Sequence, residues 1–207
     1  MKKKTVSVLD YEVGNIKSII NSLKYLNVDY NIVSNSEDIK NTSALIIPGV
    51  GSFHKAAARL KSTGNFHAIK EYALVDKKPV LGICLGFQLL CQSSSEDGVA
   101  DGLGLIPTTV KRFPKELKSE MKLPHIGFNY VVSNHRSQLH KNLSSESFFY
   151  FVHSYYVPIF QTNAKLGICK YGIDFTASYE LDNIFGTQFH PEKSQGNGLI
   201  LIKNFIE

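Results

Sequence analysis

The chain has no tryptophan, two methionines and three cysteines in 207 residues. Cys84, Cys91 and Cys169 form an odd, sparse set with no C-x-x-C spacing. That argues against a disulfide framework and a structural zinc site, and predicts a reducing, cytoplasmic setting. No apolar run approaches the ~18 residues that a membrane span needs. The opening MKKKTVSVLDYE has a basic tip, but Asp10 and Glu12 interrupt any signal-peptide core. The expectation is a protein neither secreted nor membrane-embedded. Repeats and low-complexity segments are missing. So is the Lys-Ser/Thr of a phosphate-cradling loop. His54, His67, His125, His135 and His140 show no ligand-like spacing, so neither metal nor cofactor is expected.

What is present is ordinary in bulk. Hydrophobic residues make up 43% and charged residues 20%, enough to bury a core. The net charge of +5 comes from scattered lysines, densest over residues 111–122, where Glu116 and Glu120 intervene. With no nucleic-acid-reading motif beside it, that stretch reads as solvated surface.

The first half alternates strand and helix patterns. Strands are predicted over 5–9, 30–33, 44–47 and 79–83. Helices are predicted over 15–26, from Phe53 onward with Ser52 as cap, over 66–75 and over 87–92. The second half is richer in strands, at 109–113, 148–157, 166–171, 175–179 and 184–189, before a helix over 198–206. Residues 93–101 and 114–122 look least structured. This pattern predicts a single α/β domain over 1–207: a doubly wound, mostly parallel sheet, helices on both faces, and extra antiparallel strands on one side.

One local pattern carries chemistry. Gly82-Ile83-Cys84-Leu85-Gly86 joins a buried strand to a helix, a G-x-nucleophile-x-G turn that lifts a side chain off the sheet. At a helix N-terminus the dipole and free N–H groups favour a thiolate. The plainer reading is a buried cysteine in a turn. Cys91, expected on the same helix, and Cys169, mid-strand, read as core. A thiolate nucleophile needs a base and an orienter. His190-Pro191-Glu192 follows a strand and supplies both, or is a surface loop. Pro48-Gly49-Val50-Gly51 ends a third strand, as an oxyanion loop or a plain turn. The glycines of that loop can turn backbone N–H groups inward, and the Leu85 N–H, just past the nucleophile, is the second natural oxyanion donor. Together the three strand ends are far more specific than any one.

These residues resemble class I glutamine amidotransferases, with GICLGFQ and QFHPEKS as carriers. PGVGSF, PHIGFN and YFVHSYYV resemble the type that serves imidazole glycerol phosphate synthase in histidine biosynthesis, and the resemblance runs nearly end to end. It implies that Cys84 attacks the carboxamide of L-glutamine to give a thioester and ammonia, with His190 as acid and base and Glu192 as its orienter. It further implies that Gly51, Gln88 and backbone groups of His153, Ser154 and Tyr155 hold glutamine. Phe128, Asn129 and Lys193 are expected at the interface with a (β/α)8 cyclase subunit in a heterodimer. That subunit needs ~250 residues and so cannot lie within this chain. The resemblance also implies that the Val50 peptide completes the oxyanion hole once a loop flip at Gly49–Val50 has turned it, which would switch the glutaminase on. Two departures stand out: Phe128 where the family usually has Trp, and Glu12-Val13 after Tyr11. They leave open a paralogous glutaminase feeding ammonia to enzymes that amidinate bacterial surface sugars. A cysteine hydrolase on the same fold, acting on peptides or γ-glutamyl chains, and an inactive binding subunit are the remaining alternatives.

Overall fold

The computed structural model describes residues 5–96, 98–114, 121–133 and 137–207. Readings that rest on residues 115–120 and on His135 lie outside the described residues.

In chain order the elements are β1 (Val6–Leu9), α1 (Ile16–Tyr25), β2 (Tyr30–Val33), α2 (Ser36–Lys40), β3 (Ala44–Ile47), α3 (Phe53–Ser62) and α4 (Asn65–Leu74). There follow β4 (Val80–Ile83), α5 (Leu85–Leu90), β5 (Cys91–Ser94), β6 (Ala100–Asp101), β7 (Ile106–Arg112) and β8 (His125–Ser133). The chain continues through β9 (Glu146–His153), β10 (Tyr155–Tyr156), β11 (Lys165–Tyr171), β12 (Ile173–Leu181) and β13 (Ile184–Thr187), and closes with a 3-10 turn, Pro191–Lys193, and α6 (Gln195–Ile206).

The central sheet has nine strands in the order β2-β1-β3-β4-β13-β12-β11-β8-β9. The five strands from β2 to β13 pair in parallel; from β13 onward every pairing is antiparallel. The antiparallel extension thus adds four strands to the five parallel ones. Period-2 alternation splits the core between the two faces. Leu45 and Ile47 of β3 pack with α3, α4 and α5 through Phe53, Leu60, Ile69 and Leu85. Ala44 and Ile46, one residue out of phase, pack with α1 and α6 through Ile19, Leu23, Leu201 and Ile202. Helices thus cover both faces, as the sequence pattern predicts. A small second sheet, β10-β7-β5-β6, flanks the first.

Several expectations need correction. The helix after Cys84 ends at Leu90, so Cys91 is not helical but opens β5 and stays buried. Within 93–101, Ser93 and Ser94 belong to β5 and pair with β6 at Asp101 and Ala100. The expected strand 148–157 breaks at Ser154 into β9 and β10. Ser52 occupies the cap position of α3, but its side chain makes no cap bond. Instead the Glu96 carboxylate accepts from the Phe53 N–H at 2.9 Å. A carboxylate there answers both the free N–H group and the helix dipole.

Candidate active site

Strands β3, β4 and β13 are neighbours in the parallel part of the sheet, so their carboxyl ends form one edge. Loop 48–52 leaves β3, Cys84 ends β4, and His190 follows β13. The three motifs from separate parts of the sequence meet there for that topological reason.

Cys84 has φ +54° and ψ −107°, a conformation that side chains other than glycine rarely adopt. Its N–H is held by the Thr187 carbonyl at 2.6 Å, and its own carbonyl starts α5 by accepting from Gln88 N at 3.1 Å. Both flanking glycines are required by close approach. A Cβ on Gly86 would lie 1.9 Å from the Ile47 carbonyl oxygen, and one on Gly82 would lie 2.6 Å from the Gly86 carbonyl oxygen. Of the three thiols, burial pushes the Cys91 pKa far up and the Cys169 pKa to about 12, with Asp174 adding to the latter. Both remain protonated core groups.

His190 Nδ1 donates to Glu192 Oε1 at 2.8 Å, with each side chain 2% exposed. This bond fixes the orientation of the ring and leaves Nε2 on its other edge. Nε2 has no partner at hydrogen-bonding geometry among the described residues. Burial alone would lower the His190 pKa. The charge and polar contact of Cys84, then the hydrogen bond and charge of Glu192, outweigh it and raise the value to about 10. His190 is therefore held protonated, facing Cys84.

A cavity of about 510 Å³ opens over Cys84. Val50, Gly51, Leu85, Gln88, His153, Ser154, Tyr155 and Lys193, all singled out from sequence, line it. His190 and Glu192 are buried behind the cysteine. Phe128 and Asn129 lie outside the cavity, on β8. Phe128 is 47% exposed and borders a separate hollow with Phe148 and residues 194–197. The Asn129 amide donates to the Lys170 carbonyl at 3.1 Å and faces His125. Lys193 is exposed and stands 5.8 Å from the Tyr150 ring centre. Of the expected backbone groups, the Tyr155 carbonyl is engaged by the side chains of Gln88 and His153.

Loop 48–52 is tight at one point and open at the next. A Cβ on Gly49 would meet Gly86 N and Leu85 Cβ at 2.8 Å, whereas Gly51, at φ +99°, has open space around it. The buried Tyr11 hydroxyl donates to the Pro48 carbonyl at 2.6 Å and anchors the loop's first residue. Burial, helped by the Cys84 charge, raises the Tyr11 pKa and keeps that donor protonated. Glu12 adopts φ +66° and pairs with Arg59, away from the cavity.

Sequence reasoning missed Glu96, Arg112, Pro124 and Val152, which also line the cavity. Glu96 and Arg112 offer one carboxylate and one guanidinium, a set suited to the ammonium and carboxylate of an amino acid. Neither sits in a motif, and β7 brings Arg112 in from a different sheet. No group of His, Cys, Asp and Glu suited to a metal ion occurs among the described residues. No helix among them is long and apolar enough to cross a membrane.

A family model described as glutamine amidotransferase class-I matches residues 7–207. The chain is 42% identical over 203 residues to imidazole glycerol phosphate synthase subunit HisH 1 of Campylobacter jejuni (strain RM1221), covering 97% of this chain and 98% of that protein. It is 43% identical over 206 residues to the HisH subunit of Methanosarcina acetivorans, covering 99% and 98%. Among solved structures, a glutamine amidotransferase superposes with a TM-score of 0.75 at 16% identity, covering 97% of this chain and 96% of that one. PurLQS from Thermotoga maritima gives 0.70 at 16% identity, covering 98% and 97%. At that identity the solved structures speak for the fold alone.

Proposed function

The chain belongs to the class-I glutamine amidotransferase family, and from that premise we propose that it is the glutaminase subunit of imidazole glycerol phosphate synthase. It hydrolyses L-glutamine to glutamate and ammonia, and passes the ammonia to a (β/α)8 cyclase subunit in a heterodimer. The observation that carries the reading is the cavity over Cys84, backed by a buried His190–Glu192 pair, in a chain that aligns almost end to end with named HisH subunits. The whole chain acts as one amidotransferase domain.

The chemistry follows from the groups in place. Cys84 Sγ attacks the glutamine carboxamide carbon, and the oxyanion is met by the Leu85 N–H and, once loop 48–52 turns, the Val50 N–H. His190 Nε2, protonated by the thiol, gives that proton to the leaving nitrogen, and ammonia departs. Water, deprotonated by the same nitrogen, then opens the thioester and frees glutamate. Glu192 holds the ring and its charge throughout. Glu96 and Arg112 take the α-ammonium and α-carboxylate, beside Gly51, Gln88 and backbone groups of His153 and Ser154. Val50 is 40% exposed, as befits a peptide that a partner must reach. Phe128, Asn129 and Lys193 form part of the docking face.

The test is glutamate release by the chain alone and with the histidine-pathway cyclase of the same organism, the cyclase's nucleotide ligand present. Strong activation, abolished by Cys84→Ala, is expected. One observation favours a second client: exposed Phe128 replaces the family's usual Trp on that face. If the cyclase fails to activate a folded, Cys84-reactive protein, the ammonia goes to a paralogous partner such as a sugar-amidinating enzyme.

A further inference from the structure

Gln188 lies two residues before His190, is fully buried, and has no part in the mechanism above. Its Nε2 lies 3.7 Å from Cys84 Sγ, within reach of a sulfur hydrogen bond, and its Oε1 lies 3.0 Å from Gln88 Nε2. We propose that Gln188 donates a hydrogen bond that stabilises the Cys84 thiolate, and that Gln88 locks it in the donating orientation. This rests on Cys84 being the nucleophile.

The lock follows from donor and acceptor accounting. The Tyr155 carbonyl can only accept. It lies 3.0 Å from Gln88 Nε2 and 2.7 Å from His153 Nδ1, so both must donate to it. That uses one N–H of Gln88. The second goes to Gln188, which must therefore turn its Oε1 toward Gln88. The Gln188 NH2 is left facing sulfur. Flipping Gln88 would set its oxygen against the Tyr155 carbonyl oxygen. Flipping Gln188 would set an amide oxygen against the thiolate and an NH2 against an NH2.

The same carbonyl fixes the histidines beyond it. With Nδ1 of His153 donating, its Nε2 must accept from His125 Nδ1, 3.0 Å away. His125 Nε2 then accepts, facing the Asn129 amide at 3.4 Å. Both rings are neutral in this arrangement, in keeping with burial lowering the pKa to about 4 for His125 and about 3 for His153. No member of the chain can reverse alone. A donor fixed before substrate arrives needs no reorganisation as charge collects on sulfur.

Gln188→Met keeps length and shape but removes the donor. The experiment follows the rate of Cys84 alkylation by iodoacetamide against pH, with Cys84→Ala as blank and thermal unfolding as the check on fold. Hydrogen bonds to charged groups are strong enough to move the profile about one pH unit upward, roughly a tenfold lower rate near pH 6.5. Gln88→Met should give a smaller shift in the same direction, and it carries the test if the Gln188 variant does not fold. Folded variants with the wild-type profile would overturn the role of Gln188. A wild-type Cys84 that is not alkylated near pH 6.5 would instead overturn the nucleophile reading itself.

Discussion

His190 and Glu192 meet through one 2.8 Å hydrogen bond in which both side chains are shut away from solvent. Buried in this way, the carboxylate can hold the imidazole in one tautomer and support its charge at little entropic cost. Glu192→Gln preserves the shape but removes the charge and favours the wrong tautomer. We expect kcat to fall by about 10^2- to 10^4-fold with KM for glutamine little changed. Steady-state glutamate release in the assembled enzyme measures both; a loss confined to KM would contradict the role.

The elbow glycines predict a sharper effect. A Cβ on Gly86 has nowhere to go, since the atom it meets is backbone of β3. Gly86→Ala should cost about 2–4 kcal/mol of stability and abolish turnover. Denaturant unfolding reads the first and the glutaminase assay the second.

Tyr11 offers a milder probe. Tyr11→Phe leaves the Pro48 carbonyl buried without its donor, at a cost of about 1–3 kcal/mol. Because that carbonyl starts the loop carrying the Val50 peptide, kcat should fall while KM changes less. Equal stability and activity to wild type would show that Tyr11 does not anchor the loop.

These sites were legible from sequence to different degrees, for physical reasons. The parallel half could be read almost to the residue, because buried strands such as β3 and β4 are short continuous apolar runs bounded by proline and glycine. The elbow and the strand-end His-Pro-Glu were legible because each has a local signature, and the fold brings both to one edge of the sheet. Strand β8 was missed. Its apolar residues Ile126, Phe128 and Tyr130 face outward, while its inward residues include His125. The five-residue helix α2 is too short to show a period; Asn35 holds it by accepting from Glu37 N and Asp38 N. Gln188, Glu96 and Arg112 could not be read at all. Their partners are 43 to 104 positions away, or in another sheet, and only the fold brings them in.

The buried histidines set the response to acid. Burial lowers the pKa of His125 and His140 to about 4 and of His153 to about 3. Unfolded histidines take up a proton near pH 6.5, so between about 6.5 and 4 the unfolded chain binds more protons than the native one. Stability should therefore be full above that window and fall as pH drops through it. The urea midpoint at pH 7 and pH 5 measures this, and His140→Gln should flatten the change. A midpoint that is flat or rises toward pH 5 would contradict it.

His190 has the opposite sign. Its pKa is raised to about 10, so its contribution is complete below about 6.5 and is lost as pH rises through about 10. Cys84→Ala removes the foremost raising influence and should flatten the urea midpoint between pH 7 and 10. An unchanged slope would contradict Cys84 as the source of the raised His190 pKa.

The most direct measurement is covalent trapping with an electrophilic glutamine analogue, followed by mass analysis of the peptides. The account predicts one label per chain, on Cys84 and not on Cys91 or Cys169, suppressed by excess L-glutamine and missing in Cys84→Ala. A folded protein, bound to its cyclase, that takes no label at Cys84, or takes it regardless of glutamine, would contradict the claim that Cys84 is the nucleophile of a glutaminase.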